Sequence, residues 1–247
     1  MITELGPRVF RLGDDIVNSY LLVDGEAITV VDAGVPAYWG DLPAALTRIG
    51  RSLADVKAVL LTHGHSDHIG FAELARRAGV PVWVHELDAA LARSEVANPA
   101  RGLGPSRVRP LVSFLWWTMR HGGLRVPKLA SVDTFGDGAT LDVPGSPRAI
   151  LVPGHTPGSA ALHFGDHAAL CVGDALATYA VTTGQVGPQI APFTADPVTA
   201  LASLSRIEDL AAELVLPGHG AEWRGGVHDA VRRVRETAAL ATTASRG

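Results

Sequence analysis

The hexapeptide HGHSDH at His63–His68 places three imidazoles and one carboxylate within six residues. The preceding Val59–Thr62 (VLLT) has the aliphatic and β-branched composition of a buried strand. Apolar residues at helical spacing follow, so the hexapeptide is predicted to lie on a turn between a strand and a helix. Imidazole and carboxylate ligands suit zinc, iron or manganese, and the absence of a thiolate argues against a closed structural zinc site. A solvated polar turn is the alternative, but so dense a cluster favours a metal.

The composition is that of an ordinary globular protein. The 247 residues are 47% hydrophobic and 19% charged, with a formal net charge of −4, so no stable nucleic-acid partner is expected. The one cysteine, Cys171, lies in an apolar run and is predicted to be a core residue in a reducing compartment. The first residues lack the apolar run of a signal peptide, which favours a cytoplasmic protein. The charge-free residues 175–195 are rich in Gly, Pro and Thr, which indicates a long loop and excludes a membrane span.

One order of elements occurs twice along the chain: a pair of strands, an Asp, a helix, a further strand and a His. In the first half these are strands 19–23 and 27–31, Asp32, helix 39–49, strand 56–61 and His63. In the second half they are strands 161–164 and 167–172, Asp174, helix 198–210, strand 214–216 and His219. This order predicts two sheets packed face to face, with a polar rim at one edge.

Three more candidate ligands follow predicted strands and are flanked by glycine. His155 lies in PGHTPG at 153–158, Asp174 follows Gly173, and His219 lies in PGHG at 217–220. A single His or Asp at a strand end is more often an ordinary turn residue. Because all three follow a strand and have a neighbouring glycine, as the hexapeptide does, the pattern favours metal ligands. His85 is better explained as a loop or helix-cap residue than as a ligand.

These motifs, in this order, resemble those of the metallo-β-lactamase-fold hydrolase superfamily, and the resemblance covers nearly the whole chain. It implies an α/β (α+β) fold, a four-layer αββα sandwich formed by 1–247 as a single domain, with two metal ions at one edge of the sheets. By position, the resemblance implies a first metal held by His63, His65 and His155. It implies a second metal held by Asp67, His68 and His219, with Asp174 bridging. Asp32 matches an acid that orients a ligand His from outside the metal shell; the alternative for it is a simple turn residue.

Such a site is suited to hydrolysis. Two divalent ions, most simply zinc, with iron or manganese as alternatives, can share one water and lower its pKa to give a bridging hydroxide. Asp67 is the candidate catalytic residue that orients this hydroxide and handles its proton. Ser66 has no base other than the metal ligands, so a serine mechanism is not expected.

The segment 95–132 is predicted to be an insertion that acts as a lid. Between Val96 and Val132 there is no Asp or Glu, whereas there are six basic residues, Arg101, Arg107, Arg109, Arg120, Arg125 and Lys128. Aromatic residues lie among them, and Trp116 and Arg120 are the candidate substrate contacts, together with Tyr179 in the loop after Asp174. A lid of this kind favours a small anionic or acyl substrate. The alternative is that the aromatic residues pack on the body while the arginines are solvated.

Three functions compete. The first is hydrolysis of a small ester, thioester or lactone; the spacing of Tyr179 from Asp174 fits the lactone-opening relatives poorly. Only one helix is predicted after His219, and this leaves no room for the helical domain that binds glutathione in glyoxalase II. The second is a phosphodiesterase or nuclease of the same superfamily, favoured by the basic insertion and disfavoured by the net charge. The third is an iron-dependent sulfur dioxygenase or redox protein, disfavoured by the complete second ligand set. The sequence does not predict the oligomeric state.

Overall fold

The computed structural model describes residues 2–100 and 104–244, and of residues 242–244 the backbone alone. Its larger sheet contains seven strands that follow each other in chain order. They are β1 (Ile2–Gly6), β2 (Val9–Gly13), β3 (Asn18–Asp24), β4 (Ala27–Val31), β5 (Val56–Leu60), β6 (Val82–His85) and β7 (Asp133–Phe135). Strands β1 to β4 pair antiparallel, whereas β4 to β7 pair parallel.

The smaller sheet has the order β13-β10-β9-β8. Its strands are β8 (Arg148–Leu151), β9 (Ala160–Phe164), β10 (Ala169–Gly173) and β13 (Leu214–Pro217). Strand β10 pairs antiparallel with β9 and parallel with β13. Strand β4 has the same two kinds of neighbour in the larger sheet, since it pairs antiparallel with β3 and parallel with β5. The order of elements predicted to occur twice is therefore present in both sheets.

The prediction of a long loop over 175–195 was wrong in part. This segment contains an antiparallel hairpin of β11 (Ala177–Tyr179) and β12 (Val186–Gln189). Its strands are only three and four residues long, and the second contains Gly187 and Pro188. Such residues are depleted in strands, so the local sequence does not reveal the pairing.

Helices cover the outer face of each sheet. The larger sheet is covered by α1 (Tyr38–Arg48), α2 (Ala72–Arg77) and α3 (Ala89–Ala92), and the smaller one by α5 (Pro197–Ser203) and α6 (Gly226–Ala244). Helix α4 (Val108–Arg120) belongs to the segment 95–132. The Asp196 side chain accepts the backbone N–H groups of Val198 and Thr199, as expected for the N-cap of α5, but α5 ends at Ser203 and continues only as a 3₁₀ turn.

Three apolar layers result from the alternation of side chains along the strands. In β3, Leu21 packs toward the helices while Leu22 packs toward the other sheet. The middle layer joins the two sheets and includes Cys171, which is fully buried and unpaired, as expected. The predicted αββα sandwich is confirmed. No helix in the described part of the chain is both long and apolar enough to cross a membrane.

Candidate metal centre

Seven side chains from four separate loops converge at one edge of the two sheets. Their ligand atoms form three overlapping groups, and within each group the atoms lie within 4.8 Å of one another. The groups are His63, His65 and His155; His63, His68 and Asp174; and Asp67, His68 and His219. Six of the seven residues are buried, while the Asp67 side chain is 24% exposed. The structure thus brings together all of the residues that the sequence proposes as metal ligands.

The loop after β5 is folded tightly around the first cluster. The backbone N–H groups of His68 and Ile69 both donate to the carbonyl of His65, at 3.0 and 3.1 Å. The loop that carries His219 approaches from the other sheet. A Cβ added at Gly218 would lie 2.4 Å from both Asp174 Oδ1 and a ring carbon of His68. Only glycine allows the backbone to come this close to the cluster.

Asp32 fixes the orientation of one imidazole. His68 donates from Nδ1 to Asp32 Oδ2 at 2.9 Å, which turns Nε2 of His68 toward the other ligands. Asp32 also accepts the backbone N–H and the hydroxyl of Thr62, each at 2.8 Å, and its own backbone has a φ of +60°. A left-handed non-glycine residue with a fully used carboxylate is typical of a functional position.

Asp88 joins two of the ligand loops and was missed by the sequence analysis. It is fully buried and accepts the N–H of Gly64 at 2.9 Å, the hydroxyl of Thr156 at 2.7 Å and the N–H of Gly158 at 2.7 Å. The loop at Gly64 carries His63 and His65, and the loop from Thr156 to Gly158 follows His155. One carboxylate therefore sets the relative position of the first three ligands.

Three further imidazoles also have a partner on the ring nitrogen that faces away from the cluster. His65 donates from Nε2 to Asn98 Oδ1 at 3.0 Å, and His155 Nδ1 lies 3.0 Å from the hydroxyl of Thr194. His219 donates from Nδ1 to the carbonyl of Ile16. Outer partners of this kind hold the tautomer and the ring plane that a metal requires. Asn98 and Thr194 do not belong to a recognisable motif, so the sequence analysis did not identify them.

The pKa shifts divide the histidines into two classes. Burial, together with the neighbouring imidazoles, lowers the pKa of His63 and His65, and it lowers that of His155 to about 3. Burial opposes the charged form of His68 as well, but the adjacent carboxylates, with Asp174 the largest, raise its pKa to about 10. The first three imidazoles are therefore neutral at pH 7, the state in which imidazole binds a metal.

The donor atoms of the site fit divalent cations. Among the described residues, His63 Nε2, His68 Nε2 and Asp174 Oδ1 are buried polar atoms without a hydrogen-bond partner. Unpaired buried polar atoms are costly, and three of them facing one point indicate that a ligand satisfies them. A nitrogen and carboxylate donor set without thiolate fits zinc, iron or manganese.

Of two cavities in the described part of the chain, one borders the centre. One, of about 170 Å³, opens beside His65 and Ser66 and is lined by Asn98 and by the apolar residues Ile69, Leu91, Val96 and Val126. The other, of about 270 Å³, contains Tyr179 with Asp15, Glu222 and Trp223, and none of the seven converging residues lines it. Three residues of the segment 95–132 thus form part of the wall beside His65.

The other proposed substrate contacts lie farther out. Trp116 and Arg120 are on the exposed face of α4, with the guanidinium 5.9 Å from the indole centre, and neither lines the two cavities. Arg101 lies outside the described residues. His85 accepts the backbone N–H of Leu87 at Nδ1, which confirms its interpretation as a helix-cap residue.

Known proteins with similar sequences include hydrolases. The chain is 29% identical to the probable metallo-hydrolase YflN of Bacillus subtilis (strain 168), over 90% of this chain and 87% of that protein. It is 30% identical to a hydroxyacylglutathione hydrolase of Acidiphilium cryptum (strain JF-5), over 84% of this chain and 69% of that protein.

Solved structures that align with the chain include one with bound metal ions. The metallo-beta-lactamase family protein TTHA1429 of Thermus thermophilus aligns with a TM-score of 0.66 and 28% identity, over 93% of this chain and 79% of that one. TTHA1623, solved in a di-iron-bound form, aligns with a TM-score of 0.61 and 30% identity, over 89% and 95%. The profile of the Metallo-beta-lactamase superfamily matches residues 12–219. With this match across most of its length, the chain belongs to the metallo-β-lactamase superfamily and is a metal-dependent hydrolase.

Proposed function

We propose that the chain hydrolyses a small acyl thioester or ester at a centre of two divalent ions. The observation that supports this most is the convergence of seven ligand-type side chains, three of them with unpaired buried atoms, next to a cavity with an apolar wall. The donor set favours zinc, with manganese as an alternative. The di-iron form of TTHA1623 supports iron as a further alternative.

Each ligand has a proposed role. His63, His65 and His155 hold one ion, Asp67, His68 and His219 hold the other, and Asp174 lies between them. When bound, the ions supply an activated water at neutral pH and polarise the carbonyl oxygen of the substrate.

Asp67 is the proposed catalytic residue. Its carboxylate is the most exposed of the seven ligand groups, and Oδ2 lies 3.4 Å from Nε2 of His219. From this position the carboxylate orients the attacking water and takes up its proton. Asp32, through its hydrogen bond to His68, keeps the imidazole turned toward the centre.

The cavity beside His65 supports an acyl substrate. Its polar side is formed by His65, Ser66 and Asn98, and its apolar side accepts a short hydrocarbon portion. The similarity to a hydroxyacylglutathione hydrolase favours a thioester over a simple ester. Because the wall includes residues from the segment 95–132, this segment contributes to the choice of substrate, which is the role expected of a lid.

The test combines metal analysis with a substrate panel. Purified protein is analysed for metal by mass spectrometry and assayed with a short-chain acyl thioester, p-nitrophenyl acetate and bis-p-nitrophenyl phosphate. We expect about two ions per chain and thioester hydrolysis that a chelator abolishes and a divalent metal restores.

Matched variants test the role of Asp67. Asp67→Asn should lower kcat by about 100-fold, whereas Asp166→Asn, in the exposed turn between β9 and β10, should leave it unchanged. Cleavage of the phosphodiester without cleavage of the thioester would show a phosphodiesterase instead. One iron per chain with no hydrolysis of any substrate would show a non-hydrolytic enzyme, such as a sulfur dioxygenase.

A further inference from the structure

Helix α4 presents an apolar stripe to the solvent. None of its residues is buried, and Val108, Val112, Leu115, Trp116 and Met119 are between 46% and 81% exposed. At 3.6 residues per turn these five positions fall within about 100° of the helix circumference. Scattered exposed apolar residues are normal, but a continuous stripe along three turns of one helix indicates a contact surface.

The opposite face of α4 fixes the helix on the body. The ring of Phe114 lies 6.4 Å from that of Phe193, and the ring of Trp117 lies 6.5 Å from that of Tyr38. Trp117 also donates from its indole N–H to Asp14 at 2.6 Å. With these contacts in place, α4 cannot rotate its apolar stripe inward, so the stripe faces outward in the folded protein.

Exposed cations lie on α4 and in the chain on either side of it. Arg107, Arg109, Arg120, Arg125 and Lys128 are all exposed, and none forms an ion pair within the part of the chain that the structure describes. No Asp or Glu occurs between Val96 and Val132, although the chain as a whole has a net charge of −4. The segment that carries the stripe therefore has a positive charge that the rest of the molecule does not share.

We propose that the exposed face of α4 docks on an anionic lipid surface. A helix with an apolar stripe, flanking arginines and a tryptophan lies in the plane of the headgroups, with the stripe among the acyl chains and the cations on the lipid phosphates. The pair of Trp116 and Arg120 fits this boundary, because the indole is amphipathic and the guanidinium binds phosphate in bidentate fashion.

The charge favours a lipid surface over a second copy of the chain. In a two-fold symmetric dimer the same patch meets itself, so the cations of one copy would face those of the other. No acidic residue between Val96 and Val132 can offset that repulsion. An anionic bilayer is complementary to both features, the stripe and the charge.

Helix α4 is joined at both ends to loops that follow strands of the fold. The N-terminus of α4 is joined to the loop after β11, since Arg107 donates its backbone N–H to the carbonyl of Thr182 at 2.9 Å. At the other end, the carbonyl of His121 accepts the N–H of Ala37. Ala37 lies five residues after Asp32, and Thr182 lies eight residues after Asp174. The proposal concerns the surface alone and does not depend on the substrate.

The experiment measures binding of the full chain to vesicles by flotation. Vesicles of phosphatidylcholine alone are compared with vesicles that contain phosphatidylglycerol as well. We expect binding to the anionic vesicles only, with a loss of at least about tenfold when the salt concentration is raised from about 50 mM to about 500 mM, since a shorter Debye length screens the cations.

Two variants and one control identify the surface. Val112→Glu with Leu115→Glu should abolish binding, and Arg109→Gln with Arg120→Gln should weaken it at least about tenfold. Val198→Glu, on a residue of α5 that is 79% exposed and far from α4 in sequence, should bind as the wild type does. All of the substituted residues are exposed, and circular dichroism and metal content check that each variant is folded.

Two results would overturn the proposal. The first is an absence of binding to anionic vesicles at low salt by the wild type. The second is a dimer in sedimentation velocity that Val112→Glu with Leu115→Glu dissociates, without vesicle binding, which would show that a second copy covers the stripe. Should the glutamate variant fail to fold, the arginine variant still decides, because unchanged vesicle binding by it contradicts the role given to charge.

Discussion

Replacement of Asp88 should weaken both the fold and the binding of metal by His63, His65 and His155, which are called the first trio below. In Asp88→Ala the N–H groups of Gly64 and Gly158 lose their acceptor, while the hydroxyl of Thr156 keeps a contact of 2.8 Å with Ser159. A hydrogen bond to a charged acceptor is worth about 1.5–3 kcal/mol, so the loss of two comes to about 3–6 kcal/mol. Asp88→Asn keeps one acceptor oxygen and should cost about 1–3 kcal/mol.

The loss of metal affinity should differ between the first trio and the second trio, which consists of Asp67, His68 and His219. The loops that Asp88 joins carry His63, His65 and His155. The first of these loops also carries Asp67 and His68 of the second trio, but His68 is held by Asp32 and His219 by the carbonyl of Ile16. Loss of an outer partner typically costs about 10–100-fold in metal affinity. We therefore expect the first trio to lose affinity by that factor and the second trio to change much less.

Urea unfolding and stepwise titration with a chelator measure the two effects. Asp55→Ala is the matched control, because Asp55 also accepts a backbone N–H and a hydroxyl, both from Ser52, but is far less buried than Asp88. It should cost about 1 kcal/mol and leave metal binding unchanged. If Asp88→Ala unfolds at the same urea concentration as Asp55→Ala and releases both ions as the wild type does, the role assigned to Asp88 is wrong.

Three further predictions concern the same edge of the protein and the helix beside it. Gly218→Ala should lower the metal content, because its methyl would lie 2.4 Å from atoms of Asp174 and His68, whereas Gly165→Ala, at a position with open space, should leave it unchanged; equal metal contents in the two variants would refute this. Because the pKa of His68 is raised to about 10, metal binding at pH 7 should release about one proton from it, seen by calorimetry in buffers of different ionisation enthalpy; heats independent of the buffer would contradict this. The pKa of Glu73 is lowered from 4.5 to about 2, mainly by a hydrogen bond from an arginine, so its stabilising effect is complete above pH 4.5 and is lost as the pH falls toward 2. Glu73→Gln should accordingly lower the urea midpoint at pH 7 and match the wild type near pH 2, and a constant difference between the two would refute the shift.

The parts of the fold that could be predicted are those with a local or repeated signal. HGHSDH at His63–His68 is dense enough to indicate a metal without any tertiary information. The repeated order of strands, Asp32 and Asp174, helices and His219 places the other ligands at strand ends. Both signals depend on short-range chemistry, which a single sequence contains in full.

The parts that could not be predicted depend on contacts between distant segments. Asp88, Asn98 and Thr194 are single polar residues on turns, and each gains its role only when another loop arrives beside it. The hairpin within 175–195 is defined by pairing between two very short strands, for which propensity is a poor guide. The exposure of Trp116 likewise depends on which face of α4 packs on the body, and periodicity alone does not decide this.

Each ligand trio draws on both sheets of the sandwich, which has a consequence for stability. His63 and His65 follow a strand of the larger sheet, whereas His155 and His219 follow strands of the smaller one. An ion bound here is a cross-link between two half-structures that otherwise share mainly an apolar layer. The free energy of unfolding should then rise by about 2.7 kcal/mol when the free metal is at a hundredfold excess over the dissociation constant, and the thermal midpoint should rise with it. The heat resistance of the protein should therefore depend on the metal supply around it.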